Sequence, residues 1–182
     1  MKRLMMMGLI AGLCALPTLA QEGMPEMPKP TAEHAMLAKD AGEWDAAVKM
    51  WMDPSQPATE SKGTEKVSMI GPFWQVSRYK GSMMGQEFTG LGMVGWDASK
   101  KHYITSWIDS MTPSISHGTG SYDAATRTFT GTMDGMGPDG KPVKMSQKTV
   151  WKGDDTRVFT MGMPGPDGKE FTTMEITYTR KK

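Results

Sequence analysis

The side chains able to do chemistry in this sequence are polar residues that fall in step with apolar neighbours at a spacing of two. Glu65 shares the parity of Val67 and Met69, and Arg78 that of Trp74 and Val76. Asp109 follows Tyr103 and Trp107, and Gln147 runs with Val143, Met145 and Trp151. On a strand this parity places all of them on the apolar face, where a charge must be paired or border a wet cavity. The expected site is therefore an interior pocket with Trp44 and Trp107 as walls and Glu65, Arg78, Asp109 and Gln147 orienting a small, largely apolar ligand. His117 joins this set because it shares parity with Ile115 and Thr119.

Two further chemistries, and a purely structural or partner-binding barrel, compete with that reading. Met161-Gly-Met163, with His117, has the soft donors that Cu(I) prefers, whereas thioethers along strands also fill irregular interiors. His117 beside Asp109 has the residue types of a general base and its partner, but no nucleophile or oxyanion site accompanies them. The three histidines, His34, His102 and His117, never stand at metal-ligand spacing, and no cofactor is called for. Gly90-Leu-Gly92-Met-Val-Gly95 spells a dinucleotide fingerprint, yet Trp96-Asp97-Ala-Ser-Lys follows it where a helix is required. These glycines are read instead as places of bending and close packing in a long strand.

The elements that must position these residues are strands. Period-two stretches run over 44–52, 58–70, 73–81, 86–97, 102–109, 114–122, 127–134, 142–152, 156–163 and 170–180. One short helix precedes them over 31–41, with Thr31 as its N-cap and Gly42 to end it. Gly137-Pro-Asp-Gly-Lys141 and Gly165-Pro-Asp-Gly-Lys169 are the same turn used twice, and Trp96-Asp97-Ala and Tyr122-Asp123-Ala are a second recurring connection. About ten strands with short turns and no crossover helix predict an all-β antiparallel up-and-down barrel, with an open sandwich as the structural alternative. Closure removes the edges on which strands aggregate.

The 182 residues carry 21 Lys+Arg against 20 Asp+Glu, a net charge of +1, which gives no footprint for nucleic acid. The start has the parts of a secretory signal: Lys2-Arg3, the uncharged run 4–16, and a small-residue end at Thr18-Leu19-Ala20. The run is shorter than the ~20 residues that span a membrane. Cleavage near Ala20 is expected, leaving an extended leader at 21–30, a single barrel domain at 31–182, an extracytoplasmic location and no stable membrane insertion. The one cysteine, Cys14, leaves with the signal, as do four of the twenty methionines. The oligomeric state is left open.

Gly42-Glu43-Trp44, opening the first strand after a helix, resembles the G-x-W signature of lipocalins and other calycins, in which the tryptophan packs across the closed end of the barrel. Longer strings are more specific: Lys62-Gly63-Thr64-Glu65, Gly90-Leu-Gly92 through Gly95-Trp96-Asp97, Trp107-Ile-Asp109-Ser-Met111, and Met163-Pro-Gly-Pro-Asp-Gly-Lys-Glu170 through Arg180. Over nearly all of 31–182 the chain resembles the bacterial domain of unknown function 1579 family. That resemblance implies a calycin-like barrel in small secreted or cytosolic bacterial proteins and lends no reaction and no catalytic residues.

Overall fold

A computed structural model describes residues 27–137, 140–165 and 168–182. The expected signal segment and most of the leader lie outside the described residues, as do Pro138, Asp139, Pro166 and Asp167. The chain forms α1 (Ala32–Ala38) and ten strands: β1 (Gly42–Met50), β2 (Thr59–Ile70), β3 (Trp74–Met83), β4 (Gln86–Asp97), β5 (His102–Asp109), β6 (Ser116–Asp123), β7 (Thr128–Met136), β8 (Pro142–Trp151), β9 (Thr156–Pro164) and β10 (Glu170–Arg180). Every strand pairs antiparallel with its sequence neighbours. The last pairs back on the first, with Trp44 opposite Arg180 and Met50 opposite Met174, so the sheet is a closed barrel. The expected up-and-down barrel is the fold found, and the sandwich alternative falls.

Local chemistry explains the elements. Thr31 precedes α1 in an extended conformation, and its backbone amide donates to His34 Nδ1 at 3.0 Å, so His34 fills the place of the usual acid in a capping box. The same buried ring meets Phe73 edge-on at 5.1 Å. The helix stops short of the expected span, and the chain turns through Asp40 into Gly42. There φ is +139°, and a Cβ would lie 2.6 Å from Arg180 Nη1, so only glycine fits. The repeated turns close alike: the Gly137 amide donates to Lys141 O at 2.8 Å and the Gly165 amide to Lys169 O at 2.7 Å. In the other recurring connection Asp97 Oδ1 accepts from the Ser99 amide and Asp123 Oδ1 from the Ala125 amide. The Ser99 hydroxyl bond is the chief reason the Asp97 carboxyl is held down to about 2.

The strand polarity gives the barrel two unlike ends. The starts of the odd-numbered strands and the ends of the even-numbered ones lie at one end of the barrel, where α1 packs against β3 and β4. Tyr103 Oη donates to Glu33 O at 3.1 Å, tying helix to barrel. Buried side chains form two clusters, one around Trp44, Val67, Tyr79 and Tyr178 and one around Leu37, Tyr103 and Phe129. Among the described residues no helix is long and apolar enough to cross a membrane.

Candidate functional site

Asp40, in the link between α1 and β1, reaches into the barrel and organises its floor. Its Oδ1 accepts from Trp151 Nε1 at 2.7 Å and its Oδ2 from Gln75 Nε2 at 3.4 Å, while its backbone carbonyl accepts from Trp44 Nε1 at 2.9 Å. Arg157 of β9 completes the cluster with Nη1 3.3 Å from Asp40 Oδ2 and Nη2 on Glu65 Oε2. Its guanidinium lies 4.8 Å from the Trp44 ring and 4.3 Å from that of Tyr178. Arg180 lies over the same indole at 4.1 Å and donates to the carbonyls of Ala41 and Lys39, sealing this end.

Burial governs the protonation of this cluster. It pushes the Glu65 carboxyl up despite the adjacent Arg157, and with the Glu65 charge it pushes the Tyr79 and Tyr178 phenols up. For Arg157, burial pulls down but Glu65 and Asp40 together outweigh it, so the cation is reinforced.

Above the floor the barrel is open inside. A cavity of about 450 Å³ is lined by the aromatic side chains Tyr79, Phe88, Trp107, Phe129 and Phe159 and, toward the open end, by Met50, Met83, Met111, Met136, Met161 and Met174. Glycines make this room. Trp107 lies against the inner wall of β4, where a Cβ on Gly90 would sit 2.1 Å from its ring and one on Gly92 3.2 Å from it. The G-x-G of the false fingerprint is thus a bed for an indole, as its reading as close packing anticipated. Trp107 Nε1 donates to Asp109 Oδ2 at 2.9 Å, and Asp109 Oδ1 accepts from the Met111 and Thr112 amides. Among the described residues, three buried polar atoms of residues that line the cavity have no hydrogen-bond partner: Thr105 Oγ1, Gln147 Nε2 and Arg157 Nε.

The sequence-predicted residues divide accordingly. Glu65, Trp107, Asp109 and Gln147 meet at the cavity. Trp44 is fully buried but lies beneath the floor, against Arg157, and does not line the cavity. Arg78 and His117 are corrections, since both are exposed on the outside of the barrel. The apolar marks on β3 misled: Trp74 packs outside, over Gly95, while Gln75, Ser77 and Tyr79 face in. On β6 the inner positions are Ser116, Gly118 and Gly120, too small to signal a buried face, and Ile115 is 59% exposed. His117 is therefore separated by the sheet from Asp109 and from Met161, so neither the base pair nor the expected Met–His metal set assembles. No group of three or more His, Cys, Asp or Glu suited to a metal exists among the described residues.

Sequence reasoning missed Asp40 and Arg157. The parity of Arg157 with Phe159 and Met161 was a usable signal. Asp40 stands outside any strand and gave none.

The closed antiparallel barrel is a fold shared with solved structures. Two similar ones are the S-type phycobiliprotein lyase CPES from Guillardia theta, at 11% identity and TM-score 0.58, and Rv2717c from M. tuberculosis, at 10% and 0.59. The first likeness covers 84% of this chain and 94% of that one, the second 85% and 100%. At such identities the likeness is one of fold. The particular family is given by the sequence: residues 29–180 match the family described as Protein of unknown function (DUF1579), and the chain belongs to it. No curated protein matches.

Proposed function

We propose that this protein binds a small, largely apolar ligand inside its barrel, taken in through the methionine-lined end and held above the Arg157 floor. The observation that carries the reading is the cavity of about 450 Å³, a volume within the range of small-molecule sites, with aromatic and thioether walls and buried polar atoms left without partners. The signal-like first twenty residues support an extracytoplasmic place of action, where a cysteine-free mature chain has no thiol to oxidise. N-terminal sequencing of the secreted product tests that address, and a product retaining Lys2 and Arg3 defeats it. For the ligand, titration with neutral apolar fluorophores should quench Trp107 emission saturably. Unsaturable or absent quenching with every probe defeats the reading.

One observation supports a second reading. Met50, Met174 and Met161 stand directly opposite one another on β1, β10 and β9, and all three line the cavity. Cross-strand partners of this kind hold Cα atoms about 4.5–5.5 Å apart, near enough for three thioethers to share one soft cation. This set replaces the expected Met161, Met163 and His117. Anaerobic Cu(I) titration against a competing chelator tests it: binding that survives competition and is lost in Met174→Leu supports it, and full transfer to the chelator removes it.

A further inference from the structure

The charges of the cavity point to the chemistry of its ligand, granted the cavity-binding reading above. Among the described lining residues the charged side chains are Asp40, Glu65, Asp109 and Arg157. The one cation is already engaged twice, through Nη1 with Asp40 and through Nη2 with Glu65. With both carboxylates ionised the floor has one positive charge against two negative ones; with Glu65 protonated it is balanced. Neither state leaves a positive charge for a guest, and Asp109 adds a further negative charge to the lining. An anion drawn inside would shed its hydration and find no counter-ion.

What the walls of the cavity hold in reserve is unspent hydrogen bonding. Gln147 Nε2 and Arg157 Nε are N–H donors, and the Thr105 hydroxyl donates or accepts. All three atoms are buried without a partner. None of them faces the open space as it stands, so a guest that accepts hydrogen bonds relieves them once the side chain turns toward it, and one that lacks an acceptor leaves them unsatisfied.

We propose that the cavity selects an uncharged amphiphile whose inner end is a hydrogen-bond acceptor, such as the carbonyl of an ester, amide or ketone, and rejects fatty carboxylates. This sets the molecule apart from a carrier of fatty carboxylates, whose buried charge needs a free counter-ion.

The test displaces bound N-phenylnaphthylamine from the signal-free chain at neutral pH with a matched series: dodecanamide, dodecanoate and dodecyltrimethylammonium. Dodecanamide should displace the probe at a concentration at least about tenfold lower than dodecanoate does, a difference far outside assay error. In the double variant Thr105→Val, Gln147→Leu the affinity for the amide should fall several-fold relative to that for the probe. Dodecanoate equal to or better than the amide overturns the proposal, and so does an ammonium that outbinds the amide. An unchanged ratio of amide to probe affinity in the double variant also overturns it, by showing that those donors are not used. Failure of the probe itself to bind is a different result: it removes the cavity-binding reading and this inference with it.

Discussion

At the floor, Asp40 takes hydrogen bonds from Trp151 and Gln75 and an ion pair from Arg157, and Arg157 is clamped between Glu65 and two aromatic rings. At the open end, Met50, Met83, Met161 and Met174 finish the interior with flexible thioethers. The two regions use opposite means of holding shape. Directional polar bonds in a buried setting fix one arrangement and penalise any departure from it. Methionine side chains repack at little cost and accept guests of varied outline. The contrast fits a receptacle with a rigid base and an adaptable opening, and mutations should separate the two.

The largest effect belongs to the floor. Arg157→Met removes the counter-ion of two buried carboxylates, so unfolding free energy in urea should fall by about 3–5 kcal/mol. A loss below ~1 kcal/mol would show the floor to be no stiffer than the mouth. The pH dependence has a definite sign. Burial raises the folded Glu65 carboxyl above its ordinary value of 4.5, so the folded state holds that proton more tightly. The stability this contributes is fully present below about pH 4.5 and is lost as pH rises through the folded-state value. Glu65→Gln should therefore gain stability relative to the parent as pH rises from acid to neutral. A gap between the two that stays flat with pH contradicts the shift.

Next comes the wall between the ends. Gly90→Ala puts a methyl group where the Trp107 ring lies, and overpacking of this sort costs about 1–3 kcal/mol. The indole must leave its bed and its bond to Asp109, so Trp107 emission and near-ultraviolet dichroism should change with the stability. An unaltered Trp107 spectrum would mean that β4 yields instead of the ring.

How much of this was legible follows the same division of labour. Strand limits were readable because turn chemistry is local: the Asp97 and Asp123 connections and the two Gly-to-Lys turns announce themselves within five residues. Glu65, Trp107, Asp109 and Gln147 were readable because apolar neighbours on the same strands marked the inner face. Parity failed where the barrel departs from an apolar interior. On β6 glycines stand inside, and on β3 Trp74 lies outside over Gly95, which sent His117 and Arg78 to the wrong face. Asp40 was hidden for another reason: its role depends on Gln75, Trp151 and Arg157, partners far away in sequence that only closure of the sheet brings together.

At the mouth the expected changes are smaller. Met50→Leu with Met174→Leu conserves volume and should cost less than about 1.5 kcal/mol, because thioether and branched alkyl fill similar space. The same pair should alter the ranking of ligands by shape, measured as displacement constants for straight and branched apolar guests. A cost comparable to that of Arg157→Met would erase the distinction between the ends.

The smallest effect lies at the turn joining β3 to β4, also at the mouth. Met84 has φ +54° and Gly85 φ +78°, the two left-handed positions of a tight hairpin turn. Asn or Gly is the usual residue at the first of these, since a longer side chain is strained there. Met84 is 71% exposed, so it gains no packing to offset that strain. Met84→Asn should therefore stabilise the fold by a few tenths to about 1 kcal/mol, seen as a higher urea midpoint at unchanged slope. If this thioether at the opening serves uptake, the variant will be more stable and yet slower to take up an apolar probe in stopped-flow quenching. Faster or equal uptake would place the working methionines inside the mouth, on β1, β9 and β10, and leave Met84 with no part in admitting the guest.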